Sequence, residues 1–136
     1  MEGTNVINKA RSTTVRTVSD VMTVHVHVAN ASTPFKLLAR LIAENKVGAI
    51  PIVDQQGVPI GIVSETDLLT TDRWQKHAKA DGIAASAIMT PVPITVGSGT
   101  SLIEAARLMR ERSVRHLVVV DERGGIVGIV SRTDLL

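Results

Sequence analysis

Two copies of one short polar segment carry the side chains best suited to hold a ligand. In each copy a serine, a threonine and an aspartate directly follow an apolar Gly-Ile-Val run, which predicts a strand leading into a helix. The free N–H groups and partial positive charge of a helix N-terminus favour a polar or anionic ligand. An aspartate there can accept two hydrogen bonds from a vicinal diol such as that of a ribose. The candidates are Ser64, Thr66 and Asp67 in the first copy and Ser131, Thr133 and Asp134 in the second.

The same spacing also has a purely structural interpretation. A serine followed three residues later by an aspartate is close to a capping box, in which the two side chains satisfy free backbone N–H groups of the first helical turn. Capping requires neither the threonine nor the repeated Gly-Ile-Val run. The repetition therefore favours a ligand site, but the tetrad alone leaves both interpretations open.

A basic pair distinguishes the second copy from the first. Arg115 and His116 precede the apolar run 117–120, where the first copy has Gly48 and Ala49. Because arginine forms a bidentate fork with phosphate oxygens, this pair is a candidate phosphate contact. The alternative is an arginine in solvent and a histidine that is half-buried on a strand.

Two further histidines lie in an alternating Val-His run. The alternation predicts a strand over Val24–Val28, with His25 and His27 on one face. That spacing can bind a metal ion, but no third ligand is visible nearby, and the outer face of such a strand needs polar residues. We therefore predict no metal site. Because no nucleophile has a general base placed beside it, we also predict that the chain is not an enzyme.

An internal repeat organises the whole chain. Shifting the sequence by 67 residues aligns residues 17–69 with residues 84–136 without a gap, and 20 of the 53 pairs are identical. Each copy predicts the order β-α-β-β-α. Two copies are too few for a solenoid and indicate a pseudo-twofold pair of units packed face to face.

The elements follow from local patterns in each copy. Thr33 before Pro34 predicts a helix N-cap and first turn, and Thr100 takes the cap position in the second copy. Ile94 and Val96 mark the second copy's first strand. The apolar helix positions Phe35, Leu38, Ala39, Ile42 and Leu102, Ala105, Ala106, Met109 form one stripe in each copy. Two hairpins with glycine turns are predicted, the first from 49–53 and 60–63 and the second from 116–120 and 126–130.

Composition narrows the classes of function. The chain of 136 residues has no Cys, so thiolate zinc sites and cysteine nucleophiles are excluded. A net charge of +2, with one Phe, one Trp and no Tyr, gives neither a basic surface nor a stacking platform for nucleic acid. The start shows no secretory signal, and the apolar runs are too short to span a membrane. We expect a cytoplasmic protein.

The repeated motifs resemble those of a known family. The run 62–67, Ile-Val-Ser-Glu-Thr-Asp, and its copy 129–134 match a strand ending in hydrophobic-hydrophobic-(Ser/Thr)-x-x-Asp. The runs 51–54 and 118–121 match the (Pro/Val)-(Ile/Val)-Val-Asp strand before it, and 21–23 and 88–90 match an opening Val-Met-Thr. Residues 17–136 resemble a tandem pair of CBS domains, named for cystathionine β-synthase, which is also called a Bateman module.

The resemblance implies an α+β fold of two pseudo-twofold-related β-α-β-β-α motifs packed sheet to sheet. It also implies a regulatory module that binds AMP, ADP, ATP or S-adenosylmethionine, sometimes NAD or a cyclic dinucleotide, in a cleft between the motifs and signals to an attached domain or partner. In the family the aspartate holds the ribose, the Ser and Thr contact ribose or phosphate, and segments near the first two strands hold the adenine. Besides the residues already named, the implied site includes Met22, Thr23, Ala49, Ile50, Met89 and Thr90.

The expected organisation is a polar segment 1–16, a first motif 17–69, a partly helical connector 70–83 and a second motif 84–136. The second motif stops two residues into an expected helix, so we expect a fragment of a longer protein with a further domain beyond residue 136. We also expect a homodimer, because CBS pairs associate through their helices. The alternatives are a structural dimerisation module without ligand, and an enzyme or DNA-binding regulator whose active domain lies outside this chain.

Overall fold

The computed structural model describes residues 16–74, 77–91 and 93–136, so nearly all of the polar segment 1–16 lies outside the described residues. The helices are α1 Phe35–Asn45, α2 Glu65–Trp74, α3 His77–Ala80, α4 Ala85–Ile88 and α5 Leu102–Arg112. The strands are β1 Ala29–Asn30, β2 Ala49–Val53, β3 Pro59–Ser64, β4 Thr90–Pro91, β5 Thr95–Gly97, β6 His116–Val120 and β7 Ile126–Ser131. Single 3-10 turns span Val18–Asp20 and Arg132–Leu135.

The strands form two sheets that repeat one topology. The first sheet has the order β1-β2-β3-β4 and the second the order β5-β6-β7. In each, the first strand is parallel to the second, and the second and third form an antiparallel hairpin. The predicted α+β fold of two related units is confirmed. No helix within the described ranges is long and apolar enough to cross a membrane.

Both hairpin turns are built in the same way. Asp54 Oδ1 accepts hydrogen bonds from the N–H groups of Gln56 and Val58. In the second copy Asp121 Oδ1 accepts from the N–H groups of Arg123 and Gly125. Gly57 and Gly124 have φ angles of 83° and 86°. Glycine adopts such positive φ angles at no steric cost, so the predicted glycine turns are confirmed.

The strand predicted over Val24–Val28 is wrong, because pairing begins only at Ala29. In the parallel register Ala29 lies opposite Ile52, so extending β1 backwards would place Val28 opposite Pro51, which has no N–H to donate. In the second copy the equivalent position is Val118, whose N–H donates to the carbonyl of Ile94 at 3.1 Å. This one missing donor explains why β1 has two residues and β5 three.

The two long helices begin one residue later than predicted. The N-cap of α5 is Ser101, whose side chain accepts from the N–H of Glu104, and the N-cap of α1 is Pro34. Thr33 does not cap the helix because its hydroxyl instead accepts from the N–H of Asn30 at 3.1 Å. The predicted apolar stripes face the two cores except at Ala106, which is exposed.

Each core is completed by a segment that lies ahead of the first long helix of the other copy. We call these segments the lead-ins; they comprise residues 18–23 for the first copy and residues 80–90 for the second. The core of the first sheet includes Ala80 and Ala85, which precede the second copy's strands, together with Phe35 and Leu38 of α1. The core of the second sheet includes Val18, from the start of the chain. The partly buried lead-in residues are Ile83, Ile88 and Met89 against the first core, and Val21 and Met22 against the second. The two units therefore exchange their lead-ins.

The exchange brings the lead-ins into very close contact with two glycines. At Gly61 a Cβ atom would overlap the Sδ of Met89 and lie 3.0 Å from the carbonyl oxygen of Thr90. At Gly128 it would overlap the Sδ of Met22 and lie 3.1 Å from the carbonyl oxygen of Thr23. Only glycine leaves room for the incoming lead-in at these two strand positions.

Candidate functional site

The Ser-x-x-Asp segments form a capping box in both copies. Ser64 N–H donates to Asp67 Oδ2 at 2.8 Å, and Asp67 N–H donates to Ser64 Oγ at 3.1 Å. The corresponding distances between Ser131 and Asp134 are 2.7 and 3.3 Å. The structural interpretation of these tetrads is thus confirmed. It does not remove the ligand interpretation, since Oδ1 of each aspartate accepts no hydrogen bond from the part of the chain that the structure describes.

The backbone beside each box comes from the other copy. Thr90 of β4 lies opposite Ile62 of β3, the strand that leads into the first box. Thr23 exchanges two backbone hydrogen bonds with Ile129 of β7, at 2.9 and 3.0 Å. We call the surface around Ser64–Asp67 and Met89–Thr90 the first cleft, and the surface around Ser131–Asp134 and Met22–Thr23 the second cleft.

The second strand of each unit forms the remaining wall of its cleft. Ala49 lies opposite Ser64, and His116 lies opposite Ser131. The carbonyl of Arg115 accepts from the N–H of Arg132 at 2.8 Å, which fixes the arginine backbone against the second box. Ile50 has an exposure of 0%, so its contact with a ligand would be through its backbone.

The exposed groups at the clefts include hydroxyls and charged side chains. Thr66 and Thr133 are exposed, and the hydroxyl of Thr133 lies 2.8 Å from that of Ser131. Arg115 is exposed as well, as its alternative interpretation predicted, and this leaves its guanidinium accessible to an anion.

His116 lies at the junction of the two units. A Cβ atom at Gly48 would lie 3.1 Å from its Nε2 and 3.7 Å from its Cε1, so the imidazole crosses from the second unit onto the first. Burial lowers the pKa of His116, and the positive charge of Arg115 acts in the same direction. The carboxylates of Asp134 and Asp67 oppose this lowering. The ring is therefore within electrostatic range of both boxes.

The other histidine pair is not organised as a site. His25 and His27 are exposed and belong to an irregular segment, because the predicted strand that would align them does not form. Within the described ranges no three His, Asp or Glu residues lie together in a way that could hold a metal ion.

Two cavities lie outside the serine–aspartate pairs of the boxes. The larger, of about 730 Å³, lies between α1 and α2 and is lined by Phe35, Ile42, Leu68 and Leu69 among others. The smaller, of about 420 Å³, is lined by Val58, Pro59, Ile60, Pro93, Thr95, Val120 and Gly124. The larger cavity is also lined by Gly48 and Glu65 at the edge of the first cleft, but neither cavity is lined by the serine or the aspartate of a box. The candidate ligand site is therefore the open surface of the clefts.

Sequence reasoning missed three features that the structure places at the clefts. It named Gly48 only as the counterpart of Arg115 and did not predict that His116 lies against it. It also did not connect the charge difference between Glu65 and Arg132 with the clefts. The signal was present in the repeat alignment, because these residues occupy positions that differ between the copies. It also missed that each lead-in contacts the opposite box, for which the shared Gly61 and Gly128 were the only hint.

Comparison with known proteins identifies the class to which this fold and site belong. The family model "CBS domain" matches residues 18–72 and 85–136, and the chain belongs to the CBS-domain family as a tandem pair. The chloroplastic CBS domain-containing protein CBSX2 of Arabidopsis thaliana is 31% identical over 147 residues. A CBS domain-containing protein of Dictyostelium discoideum is 31% identical over 127 residues, which cover 88% of both chains.

The fold also matches a solved structure of one of these relatives. The crystal structure of CBSX2 in complex with AMP aligns with a TM-score of 0.75 and 38% identity, over 88% of this chain and 93% of that one. Measured against the full CBSX2 sequence, the match covers 88% of this chain but only 62% of the relative. This chain therefore spans less than two thirds of that protein's length.

Proposed function

We propose that this chain is a regulatory CBS-pair module that binds an adenosine-type ligand, with AMP, ADP, ATP and S-adenosylmethionine as the candidates. The observation that carries the proposal is its 38% identity to CBSX2, which crystallised in complex with AMP. The ligand binds in a cleft between the motifs, and its occupancy is communicated to an attached domain or a partner. That the chain itself catalyses no reaction and acts in the cytoplasm remains a prediction.

The geometry of the clefts supports specific roles. The free Oδ1 of Asp134 or Asp67 accepts from the ribose hydroxyls, while Oδ2 keeps the box closed. The accessible hydroxyl of Thr133 or Thr66 contacts ribose or phosphate, and the lead-in of the opposite copy lies along the adenine. In the second cleft Arg115 contacts the phosphate, because a guanidinium suits its oxygens.

The first test is stabilisation by ligand. A ligand at 100 times its dissociation constant stabilises the folded chain by about 2.7 kcal/mol, so at least one adenosine compound should raise the melting temperature by several degrees. The measurement is a thermal-shift panel of AMP, ADP, ATP, S-adenosylmethionine, NAD and cyclic dinucleotides, with guanosine and inorganic phosphate as controls. If no adenosine compound at millimolar concentration has an effect, the module is a structural one without ligand.

We also propose that the chain is a homodimer formed through its helices. Among the helical side chains that the structure describes, three large apolar ones are exposed, at 41% for Leu37, 63% for Leu69 and 82% for Ile103. Covering such side chains is favourable by about 25 cal/mol per Å² of apolar area. A chain of 14.5 kDa should therefore elute with about twice that mass in size-exclusion chromatography with light scattering at micromolar concentration.

A charge on the helix surface should prevent this association. Leu69→Lys should lower the mass toward that of the single chain, whereas Val58→Lys, on the β2–β3 turn, is the matched control and should leave it unchanged. A monomeric parent chain would contradict the proposal, and so would a Leu69→Lys variant that remains dimeric.

A further inference from the structure

The two clefts carry opposite charges at equivalent positions. Where the second cleft has Arg132 after the box serine, the first has Glu65, and where the second has Arg115, the first has Gly48. The equivalence is structural as well, since Glu65 N–H donates to the carbonyl of Gly48 at 3.0 Å and Arg132 N–H donates to that of Arg115 at 2.8 Å. Each pair therefore lies at the same corner of its cleft.

The second corner is a concentrated positive charge. Arg115 and Arg132 are exposed, and neither forms an ion pair with a described residue. The two arginines are joined through their backbones, so both positive charges belong to this corner and both attract an anion bound there. A phosphate group fits this corner because each guanidinium can donate two parallel hydrogen bonds to its oxygens.

The first corner is negative, and His116 takes up the space beside Gly48. Glu65 is exposed there, and like charge disfavours a phosphate. The imidazole of His116 also lies on Gly48, so close that a single added Cβ would be 3.1 Å from its Nε2. His116 lies on β6 next to the fully buried Leu117, which fixes its backbone beside Gly48.

We propose that the two clefts take different classes of adenosine compound: the second cleft binds nucleotides, whereas Glu65 and His116 restrict the first cleft to adenosine compounds without a phosphate, such as adenosine or a 5′-thioether. This inference rests on the proposed function. It assigns His116 to exclusion at the first cleft, although the sequence placed it with Arg115 as a phosphate contact.

The experiment isolates the first cleft by calorimetry. In Asp134→Asn the second cleft lacks its ribose carboxylate, while the amide oxygen still accepts from the N–H of Ser131. This variant should bind adenosine but bind AMP about tenfold more weakly or worse, which is the range expected for overpacking and charge repulsion. Adding His116→Ala or Glu65→Arg should raise the affinity for AMP by a similar factor and leave that for adenosine unchanged.

A matched control and distinct outcomes make the test decisive. Glu122→Arg makes the same charge change on the β6–β7 turn, beyond the opposite end of β6 from His116, and should leave the AMP affinity of the Asp134→Asn chain unchanged. Equal binding of AMP and adenosine to Asp134→Asn overturns the inference. Loss of adenosine binding in Asp134→Asn, or an AMP-to-adenosine ratio that His116→Ala and Glu65→Arg do not alter, overturns it as well. If the unmodified chain binds no adenosine compound at all, it is the proposed function that fails.

Discussion

Replacing Asp134 by asparagine is expected to weaken AMP and ATP by about a hundredfold, whereas Asp67→Asn changes their affinity by less than about threefold. A hydrogen bond to a charged group contributes about 1.5–3 kcal/mol, and each 1.4 kcal/mol is tenfold in affinity. Asparagine is the informative substitution because it keeps an oxygen for the N–H of Ser131. Alanine would also open the capping box, because it leaves the N–H of Ser131 without its acceptor.

Calorimetry with AMP on the parent chain and the two variants measures the difference. Arg115→Ala separates the ribose from the phosphate, since it should weaken AMP and ATP by about tenfold to a hundredfold and leave adenosine unaffected. A larger loss in Asp67→Asn than in Asp134→Asn would place the nucleotide in the first cleft. Equal losses for adenosine and ATP in Arg115→Ala would show that the guanidinium does not contact phosphate.

Adding one methyl group at Gly128 is expected to destabilise the chain by about 1–3 kcal/mol, the usual cost of overpacking. The new Cβ would overlap the Sδ of Met22 and lie 3.1 Å from the carbonyl oxygen of Thr23. A thioether can move, but that carbonyl accepts the N–H of Ile129 and cannot move without breaking the bridge to β7. Gly128→Ala should therefore weaken the attachment of the lead-in as well as the packing.

Chemical denaturation measures this loss as the change in the free energy of unfolding. Gly97→Ala is the matched control, because a Cβ there has no heavy atom within 4 Å, and its effect should be small. In a double-mutant cycle, Met22→Ala should cost less in the Gly128→Ala background than in the parent chain. Equal stabilities of Gly128→Ala and Gly97→Ala would contradict the close contact.

Local patterns predicted the hairpins and the boxes, because each depends on residues close together in sequence. The strands β2 and β6 begin and end where their apolar runs do, and the Ser-x-x-Asp spacing by itself encodes the box geometry. The strand expected over Val24–Val28 failed for a tertiary reason. Its alternation is as regular as that of any strand in the chain, but strand pairing needs a donor across the sheet, and Pro51 has none.

The details of the clefts depend on contacts that no periodicity encodes. Thr33 and Thr100 are good N-cap residues, yet the helices begin at the next position, in the first copy because Thr33 bonds to Asn30. The contact of His116 with Gly48 joins residues far apart in the chain. The sequence showed which residue types line the clefts, but which residue faces which cleft required the packing of the two units.

The exchanged lead-ins give the duplication itself a physical rationale. A chain with only one repeat would have an open core, because the lead-in that completes each core comes from the other repeat. Two such chains could complete each other's cores by exchanging lead-ins as a symmetric dimer. Joining the pair through one connector makes that encounter intramolecular, with an effective concentration set by the connector's length instead of by the amount of protein in the cell. The fused gene product thereby keeps its fold on dilution. Fusion of the two repeats in one chain also allows them to diverge in sequence, because a substitution in one cleft no longer occurs in the other by symmetry.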